Sequence, residues 1–150
     1  MTARRFLIPI YVISLGCPKN FVDTERLLGA FPGEPRLVAR PEDAAVVLVN
    51  TCGFIRPAVE ESLSEILSAV KAIRTLDPKP LLAVAGCLVS RYGEDLKEGL
   101  PEVDVWLSTH ELPDWPGRVA QALKRAAKPY ASRLFLEKST SPAFSCLSGL

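Results

Sequence analysis

The sequence predicts an α/β fold in which an open, mostly parallel sheet carries helices on both faces. Three observations lead there. Short aliphatic runs recur along the chain, and they are continuous rather than alternating, as strands buried on both faces are. Stretches with apolar residues at helical spacing separate these runs, and Pro, Gly and Asp punctuate the joints. Strand and helix in alternation favour right-handed crossovers, hence a parallel sheet between two helical layers.

Taken in order, the first strand candidate is residues 10–17, which ends in Gly16-Cys17. Pro18 then suits the first position of a helix, with Asn20 as a cap and Asp23 as its first-turn acid. Phe21, Leu27, Leu28 and Phe31 could face inward from that helix. Residues 36–39 are a weaker strand. Residues 45–53 form the second strong run and end in Cys52-Gly53. A helix over 57–76 follows, with Val59, Leu63, Ile66, Leu67, Val70 and Ile73 on its apolar stripe and Glu60, Glu61 and Glu65 opposite. Residues 81–87, ending in Gly86-Cys87, are the third strong strand. Shorter helices are expected over 90–98 and 113–127, with a weak strand at 103–107 between them. From 128 onward no period survives, so residues 1–128 read as one domain and 129–150 as an irregular tail. The architecture expected is three-layered and Rossmann- or flavodoxin-like.

Composition narrows the function classes. The chain has 150 residues, 48% hydrophobic and 23% charged, with a formal net charge of +1. One domain is the comfortable size. Lys and Arg are scattered, which gives no electrostatic footprint for nucleic acid. The longest apolar stretches fall far short of the roughly 20 residues of a spanning helix. Arg4 and Arg5 before Phe6, Leu7 and Ile8 imitate a twin-arginine signal, but Pro9 interrupts the run and the same "strand, then Gly-Cys" ending recurs in the interior. A cytoplasmic location is expected. Dinucleotide, P-loop and serine-hydrolase signatures are missing from the sequence.

The cysteines carry the chemistry. Spacings of 35 residues separate Cys17 from Cys52 and Cys52 from Cys87, and each lies just past a strand candidate. In an open parallel sheet the strand carboxyl ends share one edge, where ligands bind. Three distant thiols would therefore converge. Gly16, Gly53 and Gly86 adjoin them, and a residue without Cβ would leave room for a bulky inorganic group. Cys17 and Cys52 also precede helix starts, which favour the thiolate that metals bind. Buried structural cysteines are the bland alternative for any one of them, though less so for three alike. Disulfides leave one of three unpaired. Zinc with His110 as fourth ligand is chemically possible, but structural zinc usually takes ligands in close pairs, and there is no CxxC. His110 reads better as a solvated or capping residue. A cuboidal iron–sulfur cluster on three thiolates would keep one iron open.

Three segments resemble the N-terminal domain of methylthiotransferases: SLGCPKNFVDTE over 14–25, VNTCGFI with AVEES over 49–62, and AGCLVSRYGEDL over 85–96. Order and spacing agree over roughly residues 8–128. The resemblance implies a [4Fe-4S] cluster on Cys17, Cys52 and Cys87. It also implies a second half with a radical S-adenosylmethionine barrel, a CxxxCxxC motif and another cluster. Cys-Pro-Lys-Asn at 17–20 is similar to the RimO type, which methylthiolates an aspartate of ribosomal protein S-twelve; the tRNA-modifying MiaB type is the alternative, and a stand-alone metal- or redox-binding module is a third. Cys146 falls where the radical motif should begin, but position 150 is Leu150, so CxxxC fails. The reading is therefore a chain truncated before its radical domain, inactive alone, with Cys146 a free thiol. No membrane partner is implied.

Overall fold

The computed structural model describes residues 7–15, 18–29, 34–53, 55–77 and 79–125. Five strands form one parallel sheet in the order β2-β1-β3-β4-β5. They are β1 (Leu7–Ser14), β2 (Glu34–Leu37), β3 (Val46–Thr51), β4 (Leu81–Gly86) and β5 (Val105–Leu107). The helices are α1 (Pro18–Gly29), α2 (Arg56–Ile73), α3 (Cys87–Gly99) and α4 (Trp115–Arg125). This 2-1-3-4-5 order is the flavodoxin-like one, and its switch point lies between β1 and β3, where the chain turns first to one side and then to the other.

The apolar runs are continuous because both faces are covered. Every residue of β3 and β4 is buried. Val46, Leu48, Leu81, Ala83 and Ala85 pack with Leu27 of α1 and with Trp115 and Val119 of α4. Val47, Val49, Leu82 and Val84 pack with Ile66, Val70 and Ile73 of α2 and Leu88 and Leu96 of α3. Alternate residues of one strand thus feed two separate cores. Removing a Val- or Leu-sized side chain from water contributes about 1.5–3 kcal/mol each.

Several expectations are corrected. The weak strand at 36–39 lies at 34–37, two residues earlier. Leu67 of α2 is 54% exposed, and the inward stripe runs instead through Ser62, Ile66, Ala69, Val70 and Ile73. Asn20 does not cap α1. The helix already begins at Pro18, whose missing N–H costs nothing at a first position, so Asn20 lies inside the first turn, which holds no acid. The helix expected from 90 begins at Cys87, and that expected from 113 is a 3₁₀ turn (Thr109–Asp114) followed by α4. Leu27 is buried and Leu28 half-buried, as expected. Gly16, Cys17, Phe31, Cys146 and the 129–150 tail lie outside the described residues, as does the Phe21 side chain. Among the described residues, no helix is long and apolar enough to cross a membrane.

Candidate metal centre

The strands that lead to Cys17, Cys52 and Cys87 are β1, β3 and β4, three neighbours in the sheet. Thr51 of β3 pairs in register with Gly86 of β4, so Cys52 and Cys87 are the next residues along two adjacent strands. Ser14 of β1 pairs with Asn50, and the Leu15 N–H continues that ladder by donating to the Asn50 carbonyl at 3.0 Å. Cys17 comes two residues later. The edge at which Cys52 and Cys87 emerge is the one where open α/β sheets bind ligands.

Cys52 is buried, and its backbone is held from both sides by one hydroxyl. The Cys52 N–H donates to Ser62 Oγ at 3.0 Å, and the Ser62 hydroxyl donates to the Cys52 carbonyl at 2.8 Å. Ser62 is itself fully buried on the sheet side of α2. This satisfies a donor and an acceptor that no strand partner reaches. A polar residue at an inward position of the α2 stripe was the available signal for it.

Cys87 is the first residue of α3 and is half-buried. Gly86 caps the helix with φ 110° and ψ −163°, a conformation that L side chains rarely adopt. A Cβ there would stand 2.4 Å from the Thr51 carbonyl oxygen and 2.7 Å from Asn50 Oδ1. A Cβ on Gly53 would stand 2.8 Å from Leu88 Cα and 3.0 Å from Leu88 N. Both glycines therefore serve close backbone approach within the protein. The expectation that Gly53 and Gly86 open room for an inorganic group is replaced by this: they draw the Cys52 turn against the first turn of α3. Arg91 adds a strap, with Nη1 donating to the Gly53 carbonyl at 3.3 Å.

Cys52 and Cys87 are both free thiols. Two soft sulfur donors on adjacent strand ends, one at a helix N-terminus, form a donor set of the kind that iron–sulfur clusters use. Among the described residues, which omit Cys17, no group of three or more His, Cys, Asp or Glu is placed to hold a metal ion. His110 sits exposed in the turn after β5, one strand beyond β4, in keeping with a solvated residue. That turn has its own lock. Glu111 Oε2 accepts from the Ser108 N–H at 2.9 Å and Oε1 pairs with Arg118 at 3.2 Å. The Ser108 N–H, above all, holds the Glu111 carboxyl below the usual carboxylate range, with Arg118 adding to the effect against the opposing cost of burial.

Helices α2 and α3 flank a groove of about 660 Å³ with Val59, Leu63 and Leu88 along it and Arg56, Arg91 and Tyr92 among its other lining residues. Arg91 lies over the Tyr92 ring, 5.5 Å from its centroid.

Residues 9–108 match the model of a family described as "Uncharacterized protein family UPF0004". The chain is 51% identical over 142 residues to a protein of Oleidesulfovibrio alaskensis named "Ribosomal protein uS12 methylthiotransferase RimO", an alignment that covers 94% of this chain and 32% of that one. Proteins of the same name from a Sulfurihydrogenibium species and from Clostridium botulinum are 50% and 39% identical over 101 and 123 residues, covering 67% and 82% of this chain and 23% and 27% of theirs. The chain spans about a third or less of the length of these curated relatives.

Proposed function

Because the chain belongs to the UPF0004 family and shares about half its residues with proteins named RimO, we propose that it is the cluster-binding N-terminal domain of a ribosomal-protein methylthiotransferase. The observation that carries this reading is the in-register delivery of two free thiols, Cys52 and Cys87, to one sheet edge. Cys17, which follows β1, would be the third ligand of a [4Fe-4S] cluster. Residues 1–128 would form the domain, and residues 129–150 would lead toward the radical S-adenosylmethionine half that supplies the second cluster and the cofactor. The substrate would be an aspartate of ribosomal protein S-twelve, and the location cytoplasmic. The RimO name of the relatives favours this over the tRNA branch.

A [4Fe-4S] cluster bound at three thiolates would supply an open iron able to hold the sulfur or methylthio group to be transferred. The chain's own residues do the rest. Ser62 fixes the backbone of Cys52, Gly86 sets the direction of Cys87, and Gly53 with Arg91 keeps the two turns together. Burial of the Cys52 turn limits water at that side of the site.

The test joins this chain to a complete RimO-type radical half in cells lacking the native enzyme. Mass spectrometry should find the methylthiolated aspartate in the ribosomal protein, and not when Cys17, Cys52 or Cys87 is alanine. The 150-residue polypeptide alone, which has no CxxxCxxC, should release no 5′-deoxyadenosine. A modified tRNA beside an unmodified ribosomal protein would move the assignment to the tRNA branch.

A further inference from the structure

Gly86 alone joins β4 to the helical turn that starts with Cys87. Glycine permits the φ of 110° found there but does not enforce it, because a residue without Cβ reaches a wide range of dihedrals. Two soft dihedrals at a single residue therefore decide where the first turn of α3 points. Contacts beyond Gly86 have to hold that turn.

Two consecutive side chains supply them, in two directions. Ser90 Oγ accepts from the Thr109 N–H at 2.8 Å and lies 3.0 Å from Thr109 Oγ1, while its hydroxyl donates to the Gly86 carbonyl at 3.4 Å. Thr109 opens the 3₁₀ turn that follows β5. Arg91 Nη1 instead donates to the carbonyl of Gly53, the residue after Cys52 at the exit of β3. Both anchors are themselves locked. Ser62 holds the Cys52 backbone, and Arg118 bonds Glu111 of the 3₁₀ turn and the Trp106 carbonyl at 2.8 Å. Directly after Arg91 the helix breaks, because Tyr92 has φ −126° and ψ 17°, outside the helical range. Residues 87–91 are thus a short piece tied to the exits of β3 and β5, and the break separates it from the rest of α3. Ser90 and Arg91 are both exposed, so their bonds add little net stability where water replaces a lost partner. What they fix is direction.

We propose that Ser90 and Arg91 are paired positioning residues: they clamp the Cys87 turn between the exits of β5 and β3, and so hold Cys87 alongside Cys52. The inference rests on the cluster-binding reading for its purpose, but not for its geometry. Neither residue has to touch a ligand; both act through the turn they hold. Partners that orient a metal ligand in this way typically change affinity by about 10–100-fold when removed.

The experiment has two arms on the full 150-residue chain. The first uses the metal-free, reduced protein with Cys17→Ala and Cys146→Ala, which leaves Cys52 and Cys87 as its thiols. Dibromobimane fluoresces strongly once both its arms have reacted, so its signal, divided by the rate of single alkylation with monobromobimane, reports how the two thiols are held together. Ser90→Ala and Arg91→Ala should each lower this ratio several-fold, and the double variant more. Ser90→Thr and Arg91→Lys, which keep a donor, should restore most of it. Asp95→Ala, on the same helix past the break, should leave it unchanged. The urea midpoint should shift little in the Ser90→Ala protein, because the lost bonds are exposed. In the second arm, Ser90→Ala with Arg91→Ala in the chain with all four cysteines should weaken iron retention against a chelator by about tenfold after anaerobic reconstitution. An unchanged bridging ratio in Ser90→Ala or in Arg91→Ala, or an equal loss in Asp95→Ala, would overturn the clamp. Failure of the unsubstituted chain to take up iron defeats the cluster-binding reading instead, and the bridging arm still decides on Ser90 and Arg91.

Discussion

Two strands side by side, β3 and β4, deliver their cysteines to the same edge by opposite means. After β3 the chain leaves the strand in a turn, and α2 begins only at Arg56. Cys52 belongs to no element there, so its backbone groups need an outside partner, and Ser62 reaches back from the second turn of α2 to supply one. After β4 there is no turn at all. Gly86 ends the strand and Cys87 starts α3, so the position of Cys87 is fixed by one backbone conformation. The first site depends on a side chain that could be exchanged at moderate cost; the second depends on a conformation that only glycine adopts readily. Equivalent places on a sheet can thus be built with very different tolerance to mutation.

The largest effect should come from Gly86→Val. It forces a side chain into positive φ and against the Thr51 carbonyl, and strain with overpacking should cost about 2–5 kcal/mol in urea denaturation of the metal-free chain. Loss of stability should account for any loss of metal uptake, and near-normal stability in this variant would break the contrast between the two exits. Ser62→Ala should cost less, about 1–3 kcal/mol, because it leaves the buried Cys52 N–H and C=O without their shared partner. If Ser62→Ala proved as damaging as Gly86→Val, the two exits would be equally intolerant.

The exit of β5 offers a third and weaker comparison, closed by the exposed-edge pair Glu111 and Arg118. The folded-state pKa of Glu111 lies below its unfolded value, so its stabilising contribution is present above the unfolded carboxyl pKa of about 4.3 and is lost as pH falls through the lower folded value. Glu111→Gln should therefore be slightly less stable than the unsubstituted chain at neutral pH, with the difference closing in acid. Thermal melts across pH 2–7 check this, and a gap that widens toward acid would contradict the sign.

Much of this frame is legible in the sequence. The continuous runs at β3 and β4 announce strands covered on both faces, and the three cysteines fall after neighbouring strands because β1, β3 and β4 are central in the order. The parts that escape are those in which tertiary contacts override local pattern. Leu67 fits helical spacing but turns outward because Ser62 and Ala69, small residues, take the close contacts of α2 with the sheet. The glycines beside Cys52 and Cys87 are visible at once, yet their reason is not. Only the backbone of Leu88 and the carbonyl of Thr51, distant in sequence, reveal that they permit close approach. Ser62 and Ser90 look like ordinary helical polar residues until their partners 10 and 19 positions away are known.

The central claim is that three thiols at one sheet edge hold one cluster. Anaerobic reconstitution of the chain with iron and sulfide, followed by iron and sulfide analysis and visible absorption, tests it most directly. The unsubstituted chain and Cys146→Ala should take up the same brown chromophore, and Cys17→Ala, Cys52→Ala and Cys87→Ala should each lose it while remaining folded. A full, stable cluster in Cys52→Ala would contradict the account.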